Sequence, residues 1–228
     1  MSELIVISPH LDDAVFSCWH SLSYANSVIT VFAGKPKRGT SAWWDKLCGE
    51  KDSSMMVSKR LKENDKALKY TNAKPINLNF LDAQYRKTNL SAKQIADEII
   101  SRTKENDAYI FNLAGSAWCH KDHILTRNAG LELLNKGLQV SFYADIPYMS
   151  LPNKTLKIYL NHIKKKAAKI TNRQVEISVI RLDKKSHDLK LAAVKEYKSQ
   201  FKATNLTSFG RLNRYLKRDY EIEIKVIA

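Results

Sequence analysis

Leu4-Ile5-Val6-Ile7-Ser8-Pro9-His10-Leu11-Asp12-Asp13-Ala14 begins as a short apolar run and ends in one imidazole and two adjacent carboxylates. The continuous β-rich character of residues 4–7 predicts a strand buried on both faces, as in a parallel sheet. A helix is expected from Asp13 to about Tyr24, so the charged triplet falls where strand turns into helix. The same alternation continues along the chain. Strands are expected at 28–32, 76–80, 108–113 and 140–143, and helices at about 55–70, 91–104 and 122–136. Ser91 is placed to cap one of these helices and Gly137 to stop another. Such alternation implies an α/β fold, a mostly parallel sheet with helices on both faces. Ligands of these sheets bind in the crevice beyond the carboxyl ends of the strands, and that rule selects the loops to inspect.

The last 80 or so residues read differently. A lysine-rich helix at 156–169, a strand at 175–182, an amphipathic helix at 188–201 and a closing strand at 220–226 form a C-terminal extension, 151–228, on a core of 1–150. With no repeat and no clear linker, 1–228 reads as one domain. The polar stretch Lys35–Ser54 is long for a loop, which points to a functional or partly ordered segment. Its Trp43 and Trp44 offer faces for a sugar ring, or pack as a lid over the site.

The chain has 228 residues, 44% of them apolar, enough for a sizeable core. Its formal charge is +15, which favours anionic partners such as phosphates without choosing among them. No apolar run approaches the ~20 residues of a membrane helix. The start lacks the basic leader of a signal peptide and meets Asp12 and Asp13 at once. Three cysteines, Cys18, Cys48 and Cys119, with no CxxC pair, argue against a disulfide scaffold or cysteine-rich zinc module and for a cytoplasmic protein. No nucleic-acid module is recognisable, so nucleic acid is not an expected partner. The first strand end holds two carboxylates in place of GxGxxG, and these would repel a dinucleotide's pyrophosphate.

A second cluster lies after the strand at 108–113, in Ala114-Gly115-Ser116-Ala117-Trp118-Cys119-His120-Lys121-Asp122-His123. On an opening helical turn His120 and His123 share one face. Either cluster alone has a plain structural reading, the aspartates as helix caps and the histidines as surface residues. Together they put imidazoles and carboxylates at two strand ends on one rim. A catalytic zinc takes three N/O ligands and keeps a position for water, and His10, Asp13 and His123 supply such a set. Zinc lowers the pKa of its water to about 7, and Asp12 can take the water proton as general base. His120 is placed to stabilise an oxyanion or protonate a leaving amine. Asp122 can orient His120 or His123. The set has the parts for hydrolysing an amide or an ester. Cys119, next to His120, reads as a small buried residue rather than a ligand.

Pro9-His10-Leu11-Asp12-Asp13-Ala14, with His120-Lys121-Asp122-His123 about 110 residues later, resembles the PIG-L / LmbE-like zinc de-N-acetylases. Further similar fragments are Arg60-Leu61-Lys62-Glu63, Leu81-Asp82-Ala83-Gln84-Tyr85-Arg86, Tyr143-Ala144-Asp145-Ile146-Pro147-Tyr148 and Tyr197-Lys198-Ser199-Gln200. The resemblance implies a Rossmann-like sheet and removal of acetyl from an N-acetylated amino sugar or glycoconjugate. It implies Zn2+, or another divalent metal such as Fe2+, on His10, Asp13 and His123, with Asp12, His120 and Asp122 catalytic. Arg60 and Asp82 match positions that lie near the sugar in relatives, and Arg86 and Tyr143 are further candidates for substrate contact. Leu11 and Ala14 stand where many relatives have proline and glutamate, the mark of a variant branch that keeps every ligand. Trp118 stands where some relatives have a tyrosine that assists the oxyanion. The basic charge points to a phosphate-bearing or otherwise anionic substrate. The competing readings are a non-catalytic basic domain that binds an anionic glycan or nucleic acid, and a zinc hydrolase of esters.

Overall fold

A computed structural model describes residues 2–113, 120–145, 156–207, 213 and 216–227. Its elements in chain order are β1 (Leu4–Ser8), α1 (Asp13–Ser17), α2 (Trp19–Tyr24), β2 (Ser27–Thr30), α3 (Trp43–Leu47), α4 (Ser53–Leu68), β3 (Lys74–Asn77) and α5 (Ala92–Ser101). They continue as β4 (Ala108–Asn112), α6 (Lys121–Asn135), β5 (Gln139–Tyr143), α7 (Leu156–Thr171), β6 (Val175–Arg181), α8 (Lys184–Val194), α9 (Lys198–Thr207) and β7 (Tyr220–Val226). The strands form one sheet in the order β3-β2-β1-β4-β5-β7-β6. The first five are parallel, and β7 runs antiparallel to both β5 and β6. The expected α/β architecture is present. The strand order reverses between β1 and β4, the switch point where such sheets bind ligands.

Period-two alternation along buried strands builds a core on each face. Ile5 and Ile7 of β1 and Tyr109 and Phe111 of β4 pack with Ile95, Ile99 and Leu133 of α5 and α6. Val6 and Ile110, one residue out of step, pack on the other face with Val15, Phe16, Trp19 and Leu22 of α1 and α2. α6 needs its glycine here, because a Cβ on Gly130 would lie 2.8 Å from the Phe111 ring. Ser91 forms a capping box with Gln94 at the start of α5. Gly137, at φ +84°, follows the end of α6.

Several boundaries differ from the sequence reading. The helix expected over 13–24 breaks at Cys18, which leaves helical geometry. The strand expected at 76–80 runs from Lys74 to Asn77, and Pro75 is tolerated because β3 is an edge strand. The helix expected over 188–201 is two, α8 and α9. The Lys35–Ser54 stretch contains α3. The C-terminal segment lengthens the same sheet through β7 and β6. Among the described residues no helix is long and apolar enough to cross a membrane.

One buried ion pair ties this segment to the core. Lys190 Nζ lies 2.5 Å from Glu221 Oε1, and each side chain is 1% exposed. Glu221 also accepts the N–H groups of Trp19 and His20, each at 2.8 Å, which satisfies the start of α2, where no side chain of its own caps it. Removing one partner of a buried pair typically costs about 3–5 kcal/mol. Glu221→Ala is expected to show that loss in chemical denaturation, since it strands a buried ammonium and two N–H groups. Lys190→Met is expected to cost less, because the Glu221 carboxylate keeps its backbone donors. The reverse ranking would contradict this account.

Candidate metal centre and active site

The turn after β1 is fixed by a serine. Ser8 Oγ accepts the Ala14 N–H at 3.0 Å and donates to the His10 carbonyl at 2.5 Å. The loop is thereby folded tightly enough to aim His10, Asp12 and Asp13 over the strand end. Asp13 Oδ2 accepts the His10 backbone N–H at 2.8 Å. Asp12 holds the N-cap position, yet its side chain makes no capping hydrogen bond, so the plain cap reading fails for this carboxylate. At the neighbouring strand end, α6 opens with His120 at its N-cap and Asp122 and His123 in its first turn.

Three side chains from these two strand ends meet. Asp13 Oδ2 lies 3.2 Å from His10 Nδ1 and 3.1 Å from His123 Nε2. One donor atom from each of the three falls within 4.8 Å of the others. The remaining ring nitrogens each face a second carboxylate. His10 Nε2 is 3.3 Å from Asp122 Oδ2, and His123 Nδ1 is 2.7 Å from Asp145 Oδ2. An imidazole that gives one N–H to a carboxylate is held in the tautomer whose other nitrogen carries a lone pair for a metal. Both histidines are arranged this way, with His10 Nδ1 and His123 Nε2 turned towards one carboxylate oxygen of Asp13. The donor set fits a divalent ion.

Charge is concentrated here on largely buried side chains. Burial and then the adjacent Asp13 carboxylate push Asp12 up to about 7. Burial opposes charge on Asp13 as well, but His123 and His10 hold it well below the usual carboxylate range. Burial likewise opposes charge on His123, and Asp13 and Asp145 overcome it, raising the imidazole to about 9. For His10, burial is outweighed by Asp122, Asp13 and Asp82, and its pKa lies well above the ordinary value. His120 goes the other way, since burial and the charge of His10 push it down to about 4.

These directions set a pH dependence for the chelated protein. Between pH 6.5 and 9 the folded chain retains protons on His10 and His123 that the unfolded chain has released. Stability falls with rising pH wherever the folded state binds more protons. His120, with its lowered pKa, acts in the opposite sense but only below about 6.5. The melting temperature of chelator-treated protein is therefore expected to drop from pH 6.5 to pH 9. A rise over that window would show that the imidazoles are not held charged.

The structure brings together His10, Asp12, Asp13, Asp82, His120, Asp122 and His123. Asp82 faces both His10 and His120, at 3.7 and 3.9 Å. Asp122 orients His10 more directly than it does His120, whose Nδ1 is 3.8 Å away. His123 is oriented instead by Asp145. Three of the four residues expected to touch substrate are already engaged. Arg86 Nη2 lies 2.7 Å from Asp122 Oδ1, its Nη1 donates to the Leu81 carbonyl at 2.6 Å, and the guanidinium covers the Phe32 ring at 5.1 Å. Arg60 Nη2 pairs with Asp45 Oδ1 at 2.9 Å, and Tyr85 donates to the other oxygen of Asp45 at 2.5 Å. This buried trio fastens α3 to α4 and to the loop after β3. Tyr143 is fully buried, and its hydroxyl donates to the Ile7 carbonyl at 3.2 Å. Tyr143 thus packs in the core beneath the strand ends.

Sequence reading missed Asp145, Asn112 and Asp45 as parts of the site. Asn112 Nδ2 donates to the His123 carbonyl at 2.9 Å and to Asp145 Oδ2 at 3.0 Å. Both Asn112 and Asp145 sit at carboxyl ends of strands, so the strand-end rule applied to every strand would have found them. Trp43 is 71% exposed beside the buried Asp45. Trp118, Cys119, Ile146, Pro147 and Tyr148 lie outside the described residues.

A sequence profile of the family described as GlcNAc-PI de-N-acetylase (PIG-L) matches residues 5–134, which contain both strand-end clusters. The 2'-N-acetylparomamine deacetylase of Niallia circulans is 27% identical over 192 residues, 66% of this chain and 69% of that protein. Among solved structures, the zinc-inhibited form of a teicoplanin deacetylase matches with a TM-score of 0.76 at 23% identity, covering 98% of this chain and 97% of the other. A deacetylase–teicoplanin complex matches with a TM-score of 0.71 at 25% identity, over 98% and 97% of the two chains.

Proposed function

We propose, starting from the fact that the chain belongs to the PIG-L (GlcNAc-PI de-N-acetylase) family, that it is a metal-dependent hydrolase removing acetyl from an N-acetylated amino sugar carried on a larger conjugate. The observation that carries this reading is Asp13 Oδ2 lying between His10 Nδ1 and His123 Nε2, with Asp12 alongside. His10, Asp13 and His123 would hold zinc, or iron or another divalent ion in the cell. Such an ion, when bound, lowers the pKa of a water towards neutrality and polarises a carbonyl oxygen.

The chain's own groups then divide the work. Asp12, raised to about 7, takes the proton of the attacking water. A base with a pKa near the working pH transfers protons most effectively in both directions, so Asp12 also returns that proton to the leaving amine nitrogen. The products are acetate and the free amine. His120, lowered to about 4, is neutral at working pH. Its Nδ1 accepts the Asp122 backbone N–H at 3.4 Å, which places the remaining proton on Nε2. From there it donates to the oxyanion that forms on the acetyl carbonyl. This favours the oxyanion role of His120 over that of general acid. Asp122 holds the His10 ring, and Arg86 holds Asp122.

Substrate class follows from charge and from the relatives. Of the relatives named above, one is a deacetylase of 2'-N-acetylparomamine and another is a deacetylase seen in complex with teicoplanin. A chain of +15 repels polyamines and attracts phosphates, so we favour a phosphate-bearing or otherwise anionic glycoconjugate. The reading includes a cytoplasmic location, which the three cysteines without a CxxC pair favour. The test is amine release from N-acetylglucosamine conjugates with and without a phosphate, alongside 2'-N-acetylparomamine, before and after chelation. Chelator-sensitive acetate release, faster on the phosphate-bearing substrate, is expected. Chelator-insensitive release would overturn the reading.

A further inference from the structure

The carbonyl groups of the turn after β1 are each satisfied in order. Those of Ser8 and Pro9 accept the Val31 and Phe32 N–H groups, each at 2.9 Å. The His10 carbonyl accepts Ser8 Oγ at 2.5 Å, and the Asp12 carbonyl accepts the Phe16 N–H at 3.0 Å. All four donors come from residues 8–32. The carbonyl of Leu11, between His10 and Asp12, is held from far along the chain. The Tyr197 hydroxyl donates to it at 3.0 Å, across 186 positions of sequence. We propose that Tyr197 is a positioning residue, whose hydroxyl fixes the Leu11–Asp12 peptide and thereby aims the Asp12 carboxylate at the attacking water. The proposal rests on the function proposed above.

Tyr197 stands between α8 and α9, beyond the residues that the family profile matches. Its side chain is fully buried, and its ring lies edge-on against Phe16 of α1, 5.6 Å between centroids. The phenol oxygen is also 2.8 Å from Asn64 Oδ1 of α4. One phenol proton cannot serve two acceptors, and Asn64 Nδ2 is buried with no partner in this arrangement. With its amide turned over, Asn64 donates from Nδ2 to the phenol oxygen and leaves the phenol proton for Leu11; the two ends of an amide fill nearly the same space. Two residues further on, Ser199 gives Glu63 its N–H at 3.0 Å and its hydroxyl at 2.5 Å. That carboxylate sits at the first turn of α9, where unpaired N–H groups and the helix dipole favour negative charge. Asn64 and Glu63, neighbours on α4, thus dock the junction that carries the hydroxyl to Leu11.

Asp12 depends on this contact more than the metal donors do. Its side chain makes no capping hydrogen bond, so its backbone sets where the carboxylate points. His10 has further restraints, its N–H on Asp13 Oδ2 at 2.8 Å and its ring against Asp122, and Asp13 lies between two imidazoles. Leu11 is 5% exposed. A buried carbonyl that loses its donor is costly, so the peptide turns to find another. That turn displaces Asp12, and a displacement of about 1 Å at a reacting group costs on the order of 10²-fold in rate.

The test compares Tyr197→Phe, which keeps the ring on Phe16 and loses only the hydroxyl, with Ser199→Ala, which loosens the same junction without touching Leu11. Rates are taken well below each melting temperature. In Tyr197→Phe, kcat is expected to fall about tenfold or more, with KM and bound metal unchanged. In Ser199→Ala, the melting temperature is expected to fall while kcat stays at the parent value. Added to Asp12→Asn, Tyr197→Phe is expected to leave the residual rate as it was, because groups that act through one another are not additive. Amide hydrogen exchange of the metal-free protein gives a readout independent of activity. Peptides spanning residues 10–16 are expected to exchange faster in Tyr197→Phe and at the parent rate in Ser199→Ala. Parent kcat in Tyr197→Phe, equal losses of kcat in the two variants, a further loss on top of Asp12→Asn, or unaltered exchange would each overturn the proposal. A parent protein without chelator-sensitive deacetylation would instead overturn the reading on which it rests.

Discussion

Asp12→Asn is expected to lower kcat by about 10²–10⁴-fold while leaving bound metal unchanged. The amide keeps the size of the carboxylate but cannot take up the water proton. The carboxylate sits next to Asp13, is 7% exposed, and makes no capping hydrogen bond. A carboxylate in that position is poorly placed to stabilise the fold, because burial and the neighbouring charge both oppose its ionisation. Asp12→Asn removes that repulsion, so its melting temperature at pH 8 is expected to match or exceed that of the parent. Retained activity would remove the general base from the account. Lost activity together with lost stability would mean that Asp12 is structural.

The second large effect concerns the metal. His123→Ala is expected to lose the ion and to fall to the activity of the chelated protein, since two donors remain where three are needed. Asp145→Ala is expected to be milder, with metal affinity reduced about 10–100-fold, because Asp145 holds the far nitrogen of His123 and does not face the centre. Competition with a chromogenic chelator measures both. Equal losses in the two variants would indicate that Asp145 does more than orient the ring, and full affinity in His123→Ala would place the ion elsewhere.

The order of these effects reflects what could be read along the chain and what could not. The runs Leu4–Ile7 and Ala108–Leu113 declare buried parallel strands through continuous apolar residues. The His10–Asp13 and His120–His123 clusters are visible because each is compact in sequence and ends such a run. Their partners were hidden because each is a lone polar residue whose meaning depends on a distant neighbour. Asp145 matters through His123, and Asp45 through Arg60 and Tyr85. The burial of Tyr143 has a plain cause. Phe142 and Tyr143 point to opposite faces of β5, and both faces are covered by helices, so neither side chain reaches solvent. The pairing of Arg60 with Asp45 was hidden because α3, which brings Asp45 to it, is a short helix inside a stretch that reads as loop.

The most direct test of the central claim is anomalous diffraction at the zinc edge from crystals of the protein grown with one equivalent of zinc. One strong peak is expected, enclosed by His10 Nδ1, His123 Nε2 and the Asp13 carboxylate, with Asp12 beside it. No peak there, or a peak with His10 and His123 both outside its coordination shell, would contradict it.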